Sequence, residues 1–151
     1  MNDTTELSEY VTFTTAGQIF GLPIGRVQDV FKPTRITRVP LAGAEISGVL
    51  NLRGRIVTVI DLRSRLGLET YRDGRPPMAI GIESGSESFG LLVDSVGEVL
   101  KLSDEECEPN PINLDRKLAR VSAGVFRLDG SLLVVLDIDR LLDLATEVAA
   151  A

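Results

Sequence analysis

The sequence predicts a mainly β protein made of two similar lobes packed about a pseudo-twofold axis. Three observations predict it: the chain repeats itself, both copies carry a two-residue hairpin at the same place, and the apolar runs are short and regularly spaced. Phe20 to Lys32 lies on Phe89 to Lys101 with 6 of 13 residues identical, and Gly48 to Leu68 lies on Gly124 to Leu144 with 8 of 21 identical. The offsets are 69 and 76, so the second copy carries 7 extra residues between Lys101 and Gly124. Two copies are too few to stack into a solenoid, whereas two lobes can bury a face against each other.

The elements follow in order. Val11 and Phe13 alternate with Thr12 and Thr14, the pattern of a half-buried strand, and Gly17 turns the chain into a second strand over 18–22. The runs 48–52 and 55–62 flank Arg53-Gly54, and 125–128 and 131–138 flank Asp129-Gly130, which is the spacing of two-residue hairpins. Asp-Gly fits a type I′ turn, whose two central residues both need positive φ. Short strands with little helix predict small closed or nearly closed barrels. Ser103 with Glu106 three residues on has the form of a capping box, but Pro109 and Pro111 hold it to a turn or two. Asp139 is placed to cap a short C-terminal helix with Leu141, Leu142, Ala145 and Val148 on one face. The segment 71–77, with Gly74 and Pro76-Pro77, reads as the linker between a first lobe of about 10–70 and a second of about 78–145.

Composition removes whole classes of chemistry. The 151 residues include no His and one Cys, so imidazole bases, Ser-His and Cys-His pairs and thiolate metal cages are all unavailable. No metal or cofactor set emerges. Glu105, Glu106 and Glu108 are expected to raise the pKa of Cys107 and blunt it. A net charge of -6 is a poor footprint for gripping phosphate backbones. Residues 1–76 carry 10 basic and 8 acidic groups, a balance of +2, while residues 77–151 carry 6 and 14, a balance of -8. The N-terminus lacks the form of a secretory signal, and no apolar run approaches the length of a membrane span, which predicts a cytosolic protein with no membrane insertion.

Asp61 and Asp137 end equivalent strands, but aspartates at such positions satisfy backbone donors at a strand end or a helix entry, and no paired-carboxylate site is expected. The glycines of 83–90 lack phosphate-loop spacing and read as a hairpin turn. What remains is surface. Arg53 at the first hairpin tip corresponds to Asp129 at the second, and arginine on a rigid tip offers a fork to a carboxylate. Val27, Val30, Val96 and Val99 recur at matched positions, where they are either core or the lining of an apolar groove between the lobes.

The runs NLRGRIVTVIDLR (51–63), LPIGRVQDV (22–30) and LLVDSVGEVL (91–100) together resemble the CheW family of chemotaxis coupling proteins, over about residues 8–145. The resemblance implies a single domain of two SH3-like β-barrels enclosing an apolar seam. It also implies a non-enzymatic, cofactor-free adaptor, unfused to kinase or receiver. Such an adaptor bridges the cytoplasmic tip of a chemoreceptor and the regulatory domain of a CheA-type histidine kinase, at membrane receptor arrays. On that resemblance the receptor-contacting positions are Val27, Gln28, Val30, Gly48, Arg53 and Val99, and the kinase side is sought around Leu41, Ala44 and Ile46. Val27→Asp or Arg53→Glu is then expected to abolish receptor binding with the fold intact. Related proteins serving pilus motility or surface sensing are the alternative pathway. A nucleic-acid-binding barrel and an enzyme using carboxylates alone are the rival classes, disfavoured by the acidic charge, the absence of Trp and the lack of any catalytic set.

Overall fold

Among the described residues of the computed structural model, 7–38, 46–68 and 76–142, ten strands form two five-stranded sheets. The strands are β1 (Leu7–Thr15), β2 (Gln18–Pro23), β3 (Val27–Phe31), β4 (Ile46–Leu52), β5 (Arg55–Asp61), β6 (Met78–Ser84), β7 (Glu87–Val93), β8 (Ser95–Ser103), β9 (Ser122–Leu128) and β10 (Ser131–Leu136). One sheet has the order β8-β1-β2-β10-β9 and the other β3-β6-β7-β5-β4. The repeat offsets turn β1 and β2 into β6 and β7, and β3, β4 and β5 into β8, β9 and β10. Applied to the first sheet, they reproduce the order of the second. The register agrees as well, since Leu133 opposite Ile19 in the parallel β10–β2 pair corresponds to Val57 opposite Ser88 in β5–β7.

Each copy therefore lends its first hairpin to the sheet of the other. This corrects the expected lobe boundaries: sheets built from 10–70 and 78–145 alone do not occur, because β1 and β2 pair with β8 and β10 while β6 and β7 pair with β3 and β5. Similarity between copies reveals a duplication, but exchange of equivalent hairpins leaves the hydrophobic pattern unchanged and so leaves no mark in it.

Both sheets curl closed in the same way. Beyond β3, Thr37 exchanges two backbone hydrogen bonds of 2.8 Å with Val49, and beyond β8, Glu108 does so with Val125 at 2.8 and 2.9 Å. The strand must pass close at these points, and Gly48 (φ 148°) and Gly124 (φ 144°) allow it. A Cβ at Gly48 would collide with the Thr37 carbonyl oxygen, and one at Gly124 would lie 2.8 Å from Cys107 Sγ.

Three clusters fill the interior. Leu50, Val57, Val59, Ala79 and Leu92 pack inside one barrel, and Tyr10, Phe126, Leu133 and Val135 inside the other. Phe13, Phe20, Leu22, Ile60, Ile80, Ile82, Leu91 and Val134 belong to a larger cluster that joins both sheets, the apolar seam between the barrels. Burying each such side chain stabilises the fold by about 1.5–3 kcal/mol before entropy is counted. β1 serves two of these cores at once, Tyr10 facing its own barrel and Phe13 the seam. The half-buried strand expected there is accordingly buried on both faces over Tyr10 to Phe13, with Thr12 Oγ1 donating to the Glu98 carbonyl at 2.6 Å.

Helices are short. α1 (Leu62–Arg65) begins at Asp61, whose carboxylate accepts from Arg63 N at 3.0 Å, and the equivalent Asp137 accepts from Arg140 N at 3.2 Å at the start of the terminal helix over 138–142. Asp137 is thus the capping residue there in place of Asp139, which pairs with Arg26 at 3.4 Å. Ala145 and Val148 lie outside the described residues, as does 71–75 of the linker. α2 (Arg116–Ala119), capped by Asp115, was not foreseen. Ser103 precedes a 3-10 turn without capping it. The hairpin turns also differ from expectation. Arg53 (φ 53°) and Gly54 (φ 86°) are both left-handed, as type I′ requires, whereas only Gly130 (φ 81°) is so at Asp129-Gly130, as in a type II turn.

Candidate partner-binding site

The site begins with two β-bulges. Val27 opposes Ile82 and Val30 opposes Ile80, with a register shift between Val27 and Asp29. Directly opposed residues share a sheet face, so the extra residue lets two valines three positions apart point the same way, toward the seam. The other edge repeats this: Val96 opposes Phe13 and Val99 opposes Val11, with a shift between Val11 and Phe13. Val27 and Val96 pack against the shared core, while Val30 and Val99 are 40% and 46% exposed. Both readings of the four valines therefore hold, two as core and two as exposed apolar margin of the seam. Ile24, 43% exposed in the 3-10 turn Ile24–Arg26, adds apolar surface near β1 that the sequence did not single out.

Arg53 reaches the β3 edge as well. Curling of the sheet carries the β4–β5 tip round to β3, where the Arg53 guanidinium, 82% exposed, stands 3.9 Å from Asp29 Oδ2. Asn51 Oδ1 holds the turn by accepting from Gly54 N at 2.9 Å. An arginine at positive φ stores about 1–2 kcal/mol of strain, so the tip is held by its surroundings against local preference. At 3.9 Å and this exposure the pair adds little to stability and leaves most of the guanidinium available. Asp29 was missed as a partner, although its pairing with Glu98 in the repeat was the available signal.

The structure thus brings Val27, Gln28, Val30 and Arg53 to one edge, with Gln28 exposed at the bulge. Val99 occupies the equivalent place on the other sheet. Gly48 is buried, and its steric role in closing the barrel accounts for the residue. Ile46 is half-buried at the start of β4 opposite Ile60, and Leu41 and Ala44 lie outside the described residues. Val27 packs on the core, so Val27→Asp is a core lesion and cannot report binding with the fold intact.

Two ionic clamps flank the seam. Arg63, in the strand-ending Asp-Leu-Arg run, binds Asp94 bidentately, its Nε donating to Oδ1 at 2.9 Å, and Ala16 N donates to Asp94 Oδ2 at 2.9 Å. The repeat places Asp139 where Arg63 stands in the first copy, and Asp139 pairs with Arg26. Arg26 aligns with Ser95, next to Asp94, so a pair of reversed charge stands one position away in the repeat. Cys107 is exposed, yet desolvation of its sulfur, followed by Asp104 and then Glu108, raises the thiol pKa despite a backbone hydrogen bond from Val125. Glu105 and Glu106, expected to contribute, do not figure. Burial, Asp104 and Cys107 likewise raise Tyr10. Among the described residues no three His, Cys, Asp or Glu side chains cluster as a metal site, and no helix is long and apolar enough to cross a membrane.

Comparison with known proteins decides the family. The CheW-like domain matches residues 9–146. The chain belongs to the CheW-like family. A chemotaxis protein CheW of Rhizobium meliloti (strain 1021) is 31% identical over 134 residues, covering 87% of this chain and 84% of the relative. The crystal structure of the scaffolding protein TtCheW from Thermoanaerobacter tengcongensis superposes with a TM-score of 0.77 at 30% identity, covering 87% and 89% of the two chains. Protein PilI of Pseudomonas aeruginosa is 31% identical over 86 residues, covering 57% of this chain and 48% of PilI. The two exchanged sheets described above are thus set within the CheW-like family.

Proposed function

We propose that this protein is a non-enzymatic cytoplasmic scaffold that couples the signalling tip of a chemoreceptor to a CheA-type histidine kinase, recruited to receptor arrays through those partners. The working unit is the single domain of residues 8–145. The observation that carries this reading is the apolar seam left partly uncovered at Val30 and Val99 on rigid strands. An amphipathic helical hairpin presents apolar side chains at helical spacing, which suit such a groove, and a carboxylate on it suits the Arg53 fork at the groove's edge. Val27 and Gly48 support that surface from below, and Gln28 contributes a polar contact. Kinase contact is assigned to the region of Leu41, Ala44 and Ile46 and to the second copy's loops. Nucleic acid and membrane insertion have no part in this reading.

The test is titration of a receptor signalling fragment from the same organism. Val99→Asp, at an exposed position, is expected to weaken binding by about 2 kcal/mol, about thirtyfold in Kd, with an unchanged circular dichroism spectrum. Unaltered affinity in Val99→Asp and Arg53→Glu alike contradicts the placement. The likeness to PilI supports a second reading, service in pilus motility in place of flagellar chemotaxis. Binding to a pilus-type receptor but not a flagellar one distinguishes them.

A further inference from the structure

The two margins of the seam are equivalent under the repeat but differ in charge. Val30 and Val99, 40% and 46% exposed, offer matching apolar contacts on β3 and β8. An antiparallel pair of helices is itself nearly twofold-symmetric, so these valines alone accept it in either of two directions, with one helix or the other against β3. We propose that Glu98 decides the direction: it pairs with a Lys or Arg on the helix lying along β8, while Arg53 takes a carboxylate on the helix lying along β3. This rests on the reading that a helical hairpin fills the seam.

The contrast between Glu98 and Asp29 carries the argument. Asp29 precedes Val30 at the bulge of β3, and the repeat places Glu98 before Val99 at the bulge of β8. Asp29 opposes Gly81, and its Oδ1 occupies the space that a Cβ at Gly81 would need. The Asp29 carboxylate therefore lies down on the sheet, 24% exposed, with the Arg53 guanidinium 3.9 Å from Oδ2. In the other sheet Thr12 stands where the repeat has Gly81, and its side chain fills that space. Thr12 Oγ1 donates to the Glu98 carbonyl at 2.6 Å and would lie 2.7 Å from a Cβ at Gly97. Glu98 is thus denied the bed that Asp29 has, and it stands exposed beside Val99 with its backbone pinned.

Charge completes the contrast. The tip position of Arg53 is taken by Asp129 in the second copy, so the cation that partners Asp29 has an acidic counterpart. Among the described residues no side chain forms an ion pair with Glu98. One margin presents the Arg53 guanidinium, 82% exposed, and the other an unpaired carboxylate. A hairpin with a carboxylate on one helix and a cation on the other meets opposite charge at both margins in one direction and like charge at both when reversed.

The experiment is NMR titration of the full chain with a receptor signalling fragment from the same organism, spin-labelled on one helix or on the other. A label on one helix is expected to broaden the amides of β3, and a label on the other those of β8, with no mixing. Glu98→Lys, at an exposed position, is expected to weaken binding about fivefold at low salt and to mix the two broadening patterns. The difference in affinity is expected to shrink at high salt, and Glu98→Gln to fall between. Reversing the charge of the cation on the helix along β8 is expected to restore the affinity of Glu98→Lys. Saturable binding at the seam with mixed patterns in the unaltered protein, or with Glu98→Lys indifferent in affinity and pattern, overturns the assignment of direction and leaves occupancy of the seam standing. Absence of any response at Val30 and Val99 alike overturns the assignment together with the proposed function.

Discussion

At the scale of single residues, the decisive positions are those where backbone geometry and contact coincide. Gly48 carries a φ of 148° and faces the Thr37 carbonyl across the closure of its barrel. Gly48→Ala combines a strained backbone with a steric collision, and the expected loss is about 3 kcal/mol or more, read from urea denaturation. A change under about 0.5 kcal/mol, the usual range for an innocuous surface substitution, contradicts the role assigned to it. Cys107 offers a pH test. Its raised pKa means the folded state favours the neutral thiol, so the stability it lends is complete below the unfolded-state value and is lost as pH climbs through the folded one. Reaction with a thiol reagent is expected to reach half its limiting rate above about pH 8.5, the ordinary thiol value. A midpoint below that value contradicts the desolvated setting. Arg53 was legible as a tip residue because hairpin spacing marks it. Asp29 was not, since a carboxylate on an edge strand looks solvated until the curled sheet brings Arg53 to it.

At the scale of elements, the hairpins were readable and their pairing was not. Val11 and Phe13 marked β1, Arg53-Gly54 marked the β4–β5 turn, and the equivalence of Asp61 and Asp137 marked two strand ends. Each signal is local, spanning a few residues of periodicity or turn chemistry. Which strand lies beside which depends on contacts between segments 31 to 114 residues apart, and two copies with similar apolar faces accept each other's hairpins equally well. α1 and α2 escaped notice because four residues carry too little periodicity to register. The exchange itself is testable. Fragments 1–72 and 73–151 each contain only part of either sheet, so neither is expected to fold alone, while an equimolar mixture is expected to regain native β-sheet circular dichroism and cooperative unfolding. Cooperative folding of either fragment by itself contradicts the exchanged topology.

At the scale of the whole molecule, the duplication creates a seam that belongs to neither barrel. Its interior is the largest apolar cluster, and its margin exposes Val30 and Val99 at equivalent points of two edge strands. The Arg63–Asp94 pair ties α1 to the connection between β7 and β8. The recurrence of four valines marked them as equivalent positions, and the division between Val27, packed on the core, and exposed Val30 required the bulges to be seen. A scaffold of this kind acts by placement, which makes its effect conditional on both partners. The most direct test is therefore autophosphorylation of a CheA-type kinase from the same organism, with and without a receptor signalling fragment and this protein. The account predicts a rise in kinase output that needs all three components and is lost with Val99→Asp or Arg53→Glu. An undiminished rise in both variants, or kinase output indifferent to this protein when both partners bind it, would contradict coupling through the seam.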